Sequence, residues 1–118
     1  MNEIKRGEIW LINLDPTVGH EIKKTRPALI IQNNIGNKYS TTTIIAPLTS
    51  QKTNRVYPFE VLIQNKGLAC ESKILLNHVR AIDKQRILKK LGFLNEEQMN
   101  QVNEAINISL GLVHIEEL

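Results

Sequence analysis

Residues 27–48 read PALIIQNNIGNKYSTTTIIAPL, and the reading of this stretch decides the fold. Pro27–Gln32 is a short apolar run without alternation, as expected of a buried strand. Thr41–Leu48 is dense in β-branched residues, which pack well on a pleated surface. Between them, Asn33–Ser40 holds three asparagines and a glycine. Asn side chains bond nearby backbone and Gly tolerates positive φ, so this segment is expected to be a turn.

Working outward, Glu8–Leu14 (EIWLINL) has strand chemistry with imperfect alternation, placing Ile9, Leu11 and Asn13 on one face. Asp15-Pro16-Thr17 breaks it. Val18–Arg26 (VGHEIKKTR) reads as a long polar loop, and Ser50–Arg55 (SQKTNR) as a second one. Tyr57–Ile63 is a fourth strand with Pro58 near its start, where it does least harm. Residues 72–81 carry a fifth, bent strand, Asp83–Arg86 a helical turn, and Ile87–Leu91 a sixth strand. The last element is the clearest. Asn95 with Gln98 three residues on is a capping-box pattern. Met99, Val102, Ala105, Ile106, Ser109 and Leu110 then fall on one helical face, and Gly111 is placed to cap the end. The expected fold is α+β and β-rich: about six short strands in a small, strongly bent barrel or sandwich, closed by a C-terminal α-helix, with residues 1–118 as a single domain.

Composition excludes several classes. Apolar residues make up 42%, too many for a disordered chain. The single cysteine, Cys70, cannot form an intrachain disulfide, and its neighbours Ala69 and Glu71 give no cause for a lowered thiol pKa, so it is expected to be a small, buried or half-buried residue. No apolar run approaches the roughly 18 residues of a membrane span, and the N-terminus MNEIKRGEIW lacks the apolar stretch of a signal peptide. A cytoplasmic protein without a membrane partner is expected. Charge is lopsided: residues 95–118 hold five glutamates and no Lys or Arg, whereas residues 1–94 hold 15 basic groups against seven acidic ones. A basic body with an acidic C-terminal segment suits a partner that carries phosphates or carboxylates, though a solvated helix face balancing a solvated body explains it equally well.

Phosphate-binding glycine loops, zinc spacings and nucleophile elbows are absent from the sequence, and His20, His78 and His114 are too scattered to suggest a metal site. What remains is the polar loop and the end of the third strand. His20, Glu21, Lys23, Lys24 and Arg26 lie within seven residues. They combine a group titrating near neutrality, a carboxylate and fixed cations. A phosphodiester reaction needs that mixture, namely proton acceptor, proton donor and positive charge at the developing phosphorane. Most polar loops of this composition are merely solvated. Thr49 ends a strand beside Ser50, where its hydroxyl either faces a groove or bonds backbone.

Across nearly the whole chain, ordered motifs resemble the MazF/PemK (Kid-like) toxins. They are Arg6-Gly7-Glu8-Ile9-Trp10, Asp15-Pro16-Thr17, Gly19-His20-Glu21, Arg26-Pro27-Ala28-Leu29-Ile30-Ile31, Asn33-Asn34-Ile35-Gly36-Asn37, Pro47-Leu48-Thr49-Ser50, Tyr57-Pro58-Phe59-Glu60-Val61 and Arg80-Ala81-Ile82-Asp83-Lys84. The resemblance implies a small SH3-like, CcdB-like β-barrel, a symmetric homodimer, a cognate antitoxin protein as partner, and a cofactor-free, metal-independent endoribonuclease activity on single-stranded RNA. It assigns Arg26 to the scissile phosphate, as donor and general acid, and Thr49 to orienting the same phosphate. His20 either stabilises that phosphate or shares proton transfer. Glu21 orders the loop or assists as base. Lys24, Ser50, Lys52 and His78 are the substrate-binding candidates. One departure matters: where PemK and Kid carry an Arg and an Asp in the fifth strand, this chain has Leu75 and Asn77, neither able to serve as acid or base. Chemistry should therefore lean on Arg26 and Thr49.

RNA supplies its own nucleophile, a 2′-OH held beside the phosphate, and that proximity provides much of the rate. The expected products are 2′,3′-cyclic phosphate and 5′-OH ends. Unpaired RNA is favoured because bases must be splayed out to be read. Trp10 and Tyr57 are aromatic candidates for base stacking, with the strand position of Trp10 favouring the core. Two rivals remain: a CcdB-like gyrase-directed poison, and a non-catalytic single-strand RNA-binding module. Arg26→Ala separates them from an enzyme, which alone would lose turnover.

Overall fold

The structure, a computed structural model, describes residues 3–14 and 25–116. Seven strands and two α-helices follow one another as β1 (Glu8–Asn13), β2 (Thr25–Ile30), α1 (Asn34–Tyr39), β3 (Thr42–Thr49), β4 (Glu60–Ile63), β5 (Ser72–Leu75), β6 (Arg80–Asp83), a 3₁₀ turn at Lys84–Arg86, β7 (Ile87–Phe93) and α2 (Glu96–Ser109). The β-rich α+β class of the sequence reading holds. The sheet order is β4-β5-β3-β2-β1-β7, with β6 also paired to β3.

The sheet is bent but does not close, which corrects the barrel expectation. Among the described residues β4 and β7 end the path unpaired to each other. Their gap is bridged by side chain instead: Asn65, just beyond β4, donates its amide to the Phe93 carbonyl at 3.0 Å. Gly67 lies so close that a Cβ there would stand 1.9 Å from the Leu91 carbonyl oxygen.

Both faces of the central strands are buried, which explains the unbroken apolar run of β2. Ile9, Leu29, Ala46 and Leu48 pack with Val61, Ile63 and Ile74 against Val102 and Ala105 of α2. The alternate residues Trp10, Ile12, Ala28, Ile30 and Ile45 pack on the other side with Ile82 and Ile87. The imperfect alternation of β1 also has a cause. Its register against β7 slips between Ile9 and Trp10 and again between Leu11 and Ile12, so Ile9, Trp10 and Ile12 are buried while Leu11 and Asn13 are only half-buried. Trp10 is a core residue, its indole N–H bonded to Glu8 at 3.0 Å.

Other segments differ from expectation for identifiable reasons. Asn33–Ser40 is not a simple turn but contains α1, capped by the Asn33 side chain on the Gly36 N–H. β4 starts at Glu60, not Tyr57, because Tyr57–Glu60 forms a turn (Glu60 N–H to Tyr57 O, 2.8 Å) around Pro58, which has no N–H to give. The single bent strand over residues 72–81 is two strands, β5 and β6, separated by a turn in which the His78 N–H bonds the Leu75 carbonyl at 3.0 Å. The capping box at Asn95 and Gln98 is present. Beyond α2, the Leu112 N–H reaches Asn107 O and the Gly111 N–H reaches Ile108 O, a Schellman closure with Gly111 at φ +72°. Leu110 points outward rather than into the core.

Candidate active site

Thr25 and Arg26 belong to β2, not to the preceding loop. Arg26 is therefore fixed by a ladder on one side, opposite Ile12 of β1. On the other side β2 pairs with β3 through Ala28–Pro47, Leu29–Ala46 and Ile30–Ile45. Continuing that register by two residues sets Arg26 opposite Thr49, the last residue of β3. Both line one cleft of about 330 Å³, together with Ser50, Gln51, Cys70 and Ser72.

The donors of this cleft are well placed for an anion. The described ion pairs join Glu3 to Lys5, Glu60 to Lys73 and Glu8 to Lys90, so among the described residues no carboxylate neutralises Arg26. A guanidinium stays charged and presents a rigid donor fork. The Thr49 Oγ1 accepts the Gln51 N–H at 3.1 Å. With a lone pair occupied there, its own O–H remains a donor. Thr49 is the cross-strand partner of Lys73 on β5. Leu75, two residues along, shares that face and adds an apolar group there.

The other sequence candidates divide. Ser50 is exposed at the cleft. Lys52 is exposed on the β3–β4 loop in a left-handed conformation, φ 55°. His78 is exposed in the β5–β6 turn. Neither Lys52 nor His78 lines the cleft itself. His20, Glu21 and Lys24 lie outside the described residues. Cys70, expected to be buried or half-buried, is exposed and lines the cleft beside Thr49. No sequence signal pointed to it, because the β4–β5 connection that carries it has no motif of its own. Among the described residues, no three His, Cys, Asp or Glu side chains are grouped as metal ligands would be, and no helix is long and apolar enough to cross a membrane.

Comparison with known proteins places this geometry. Residues 5–110 match the family model described as PemK-like, MazF-like toxin of type II toxin-antitoxin system. The chain is 44% identical over 112 residues to Endoribonuclease EndoA of Bacillus subtilis strain 168, spanning 93% of this chain and 97% of that one. It is 44% identical over 111 residues to Endoribonuclease MazF of Staphylococcus epidermidis, spanning 92% of each. A mycobacterial endoribonuclease solved in complex with its cognate antitoxin superposes with a TM-score of 0.79 at 23% identity, covering 95% of this chain and 99% of the other. The family model thus defines the class, the toxin of a type II toxin–antitoxin system. The chain belongs to the PemK-like, MazF-like toxin family.

Proposed function

We propose that this toxin is an endoribonuclease that cuts single-stranded RNA, mRNA above all, at a short sequence motif by attack of the substrate's own 2′-oxygen. The observation that carries the reading is the pairing of Arg26 and Thr49 in one cleft without a neutralising carboxylate among the described residues. Support comes also from the two relatives at 44% identity, both named endoribonucleases.

In this reading the 2′-O–P bond forms as the P–O5′ bond breaks. The 2′ proton passes to a base and the 5′-oxygen receives a proton from an acid. Arg26 donates to the non-bridging oxygens as their charge grows, and serves as the acid. Thr49 donates its O–H to the same phosphate. His20 and Glu21 share the base and positioning roles. Lys24, Ser50, Lys52 and His78 hold the strand on either side. No metal or cofactor takes part. Products are 2′,3′-cyclic phosphate and 5′-OH ends.

The protein acts in the cytoplasm as a homodimer, with RNA lying in a groove between subunits. Apolar groups left exposed, among them Ile35, Tyr39, Ile44 and Phe93, supply surface for such pairing. A sedimentation mass twice that of the chain is expected, and a concentration-independent monomer would refute it. The cognate antitoxin inhibits by laying an acidic segment over Arg26 and its basic neighbours. The complex recorded for the mycobacterial neighbour is consistent with such a partner.

The decisive experiment incubates the protein with a long unstructured RNA in EDTA and analyses fragment ends. Discrete fragments with cyclic phosphate ends are expected. Arg26→Ala should lower kcat by about 10²–10³, the usual cost of removing a donor to a developing anion. Intact RNA from a folded wild-type dimer would overturn the reading in favour of a gyrase-directed poison or a non-catalytic RNA binder.

A further inference from the structure

The β3–β4 loop is built around a buried ion pair. Lys73 of β5 and Glu60 of β4 meet at 2.9 Å with side chains only 6% and 7% exposed. Burying two charges is costly, and such a pair is sustained only when its other valences are also satisfied. Here those valences go to the backbone of two particular loop residues. The Lys73 ammonium also donates to the Arg55 carbonyl at 3.0 Å. The Glu60 Oε1 also accepts the Tyr57 N–H at 3.1 Å.

Those two backbone anchors fix two side chains. The Arg55 guanidinium lies over the Tyr57 ring at 5.0 Å. Tyr57 in turn stacks on Phe59, with centroids 5.4 Å apart and planes within 2°. Residues 55, 57 and 59 thus form a column, half-buried at Tyr57 and Phe59 and exposed at Arg55. The column stands on the loop that leaves the cleft: Ser50 and Gln51 line the cleft, and Lys73, which clamps Arg55 and Tyr57, is the cross-strand partner of Thr49. The cation–ring contact with Tyr57 restrains the guanidinium, and Arg55 is exposed to solvent. A held arginine plane beside a phosphate site is a platform for a nucleobase.

We propose that Arg55 is a base-stacking, specificity-determining residue. Its guanidinium receives one unpaired base of the RNA whose phosphate lies at Arg26 and Thr49, and Lys73 with Glu60 positions it. The inference rests on the endoribonuclease reading, so its test separates the two.

The substrate is a synthetic oligoribonucleotide carrying a cleavage site mapped on a long transcript. Single abasic riboses are placed at each of the positions flanking the cut. In the wild type, one abasic position should raise KM about five- to tenfold, the effect of losing one stacked base. Arg55→Met should raise KM by the same factor on intact RNA, change kcat by much less, and be indifferent to that abasic position. Arg55→Lys should behave like Arg55→Met, since it keeps the charge but loses the plane. Lys73→Met combined with Glu60→Gln should reproduce both the KM rise and the indifference, which a general loss of stability would not do. The exposed Arg55 variants carry the test if that double variant fails to fold. Arg55→Lys matching the wild type, or abasic positions costing variants as much as the wild type, would overturn the proposal. A wild type that leaves RNA whole would overturn the enzyme reading instead, and fluorescence anisotropy of an unstructured oligoribonucleotide with the wild type, Arg55→Met and Arg55→Lys would then decide the stacking.

Discussion

At the scale of single residues, the groups that matter are those whose polar valences are all accounted for. Glu8 is the clearest case outside the cleft. Its Oε1 accepts the Lys5 N–H at 2.8 Å and the Trp10 indole N–H at 3.0 Å, and its Oε2 meets Lys90 at 2.7 Å. Burial pushes its carboxyl pKa up, but the hydrogen bonds from Lys90, Trp10 and the Lys5 backbone together outweigh that and hold it below the usual 4.5. A depressed carboxyl contributes stability above its unfolded pKa and loses it as pH falls through the folded one. Stability should therefore decline on acidification below about pH 4.5. Glu8→Gln should lower it at pH 7 by about 1–2 kcal/mol, the worth of charged hydrogen bonds, and flatten the acid limb. Urea titrations of both proteins at pH 7 and pH 3.5 measure this; parallel pH profiles would contradict it. Residue type revealed such partnerships only in part. Arg26 and Thr49 stood out only through the family resemblance of their short motifs, and the strand register then sets them together in one cleft. Cys70, Arg55 and Lys73 gained their places from strand register and from a loop folding back, which no local pattern encodes.

At the scale of elements, the sheet is finished by a contact between strand ends rather than by a ladder, and Gly67 permits it. A Cβ at Gly67 would meet the Leu91 carbonyl, a backbone atom that no rotamer change can move aside. Gly67→Ala should cost about 3 kcal/mol, the upper range for overpacking, as β4 and β7 are forced apart. Gly111→Ala is the control. It has open space around it but sits at φ +72°, so it should cost about 1–2 kcal/mol from backbone strain alone. Equal losses in chemical denaturation would mean that the seam is loose. The same elements show why sequence reading succeeded unevenly. α2 announces itself by apolar spacing, a capping box and a terminal glycine, all local signals. α1 carries none of these in strength. Its residues are poor helix formers, and the buried Asn37 holds it through tertiary bonds: to Gln32 O at 2.9 Å, from the Thr43 hydroxyl at 2.6 Å, and through its carbonyl to the Lys84 ammonium. Tertiary bonding overrode propensity there. The open sheet was likewise invisible, because strand pattern specifies faces but not closure.

At the scale of the whole molecule, the lopsided charge becomes an arrangement in space. Glu96, Glu97 and Glu104 ride on α2, which packs against one core, while Arg26 lines the cleft from β2, and Lys52 and Arg55 sit on the β3–β4 loop whose first residues, Ser50 and Gln51, line it too. Arg26, which no carboxylate among the described residues neutralises, attracts phosphate, and the acidic helix repels a strand that would dock on the wrong side. Affinity for RNA should then carry a counterion-release term, with log(1/KM) falling against log salt by about 0.7 per phosphate neutralised on a single strand. Three contacts, at Arg26, Lys52 and one further cation, give a slope of about −2, so KM should rise more than tenfold between 50 and 200 mM salt. The chemical step is shielded within the cleft, so kcat should change little. Lys52→Gln, exposed and outside the cleft, should reduce the slope by about 0.7 and weaken binding alike for every RNA sequence. Initial rates on a short fluorogenic oligoribonucleotide across a salt series measure both quantities. A flat KM with an unchanged Lys52→Gln slope would shift the binding energy to stacked bases, with Arg55 holding the strand by its plane rather than its charge.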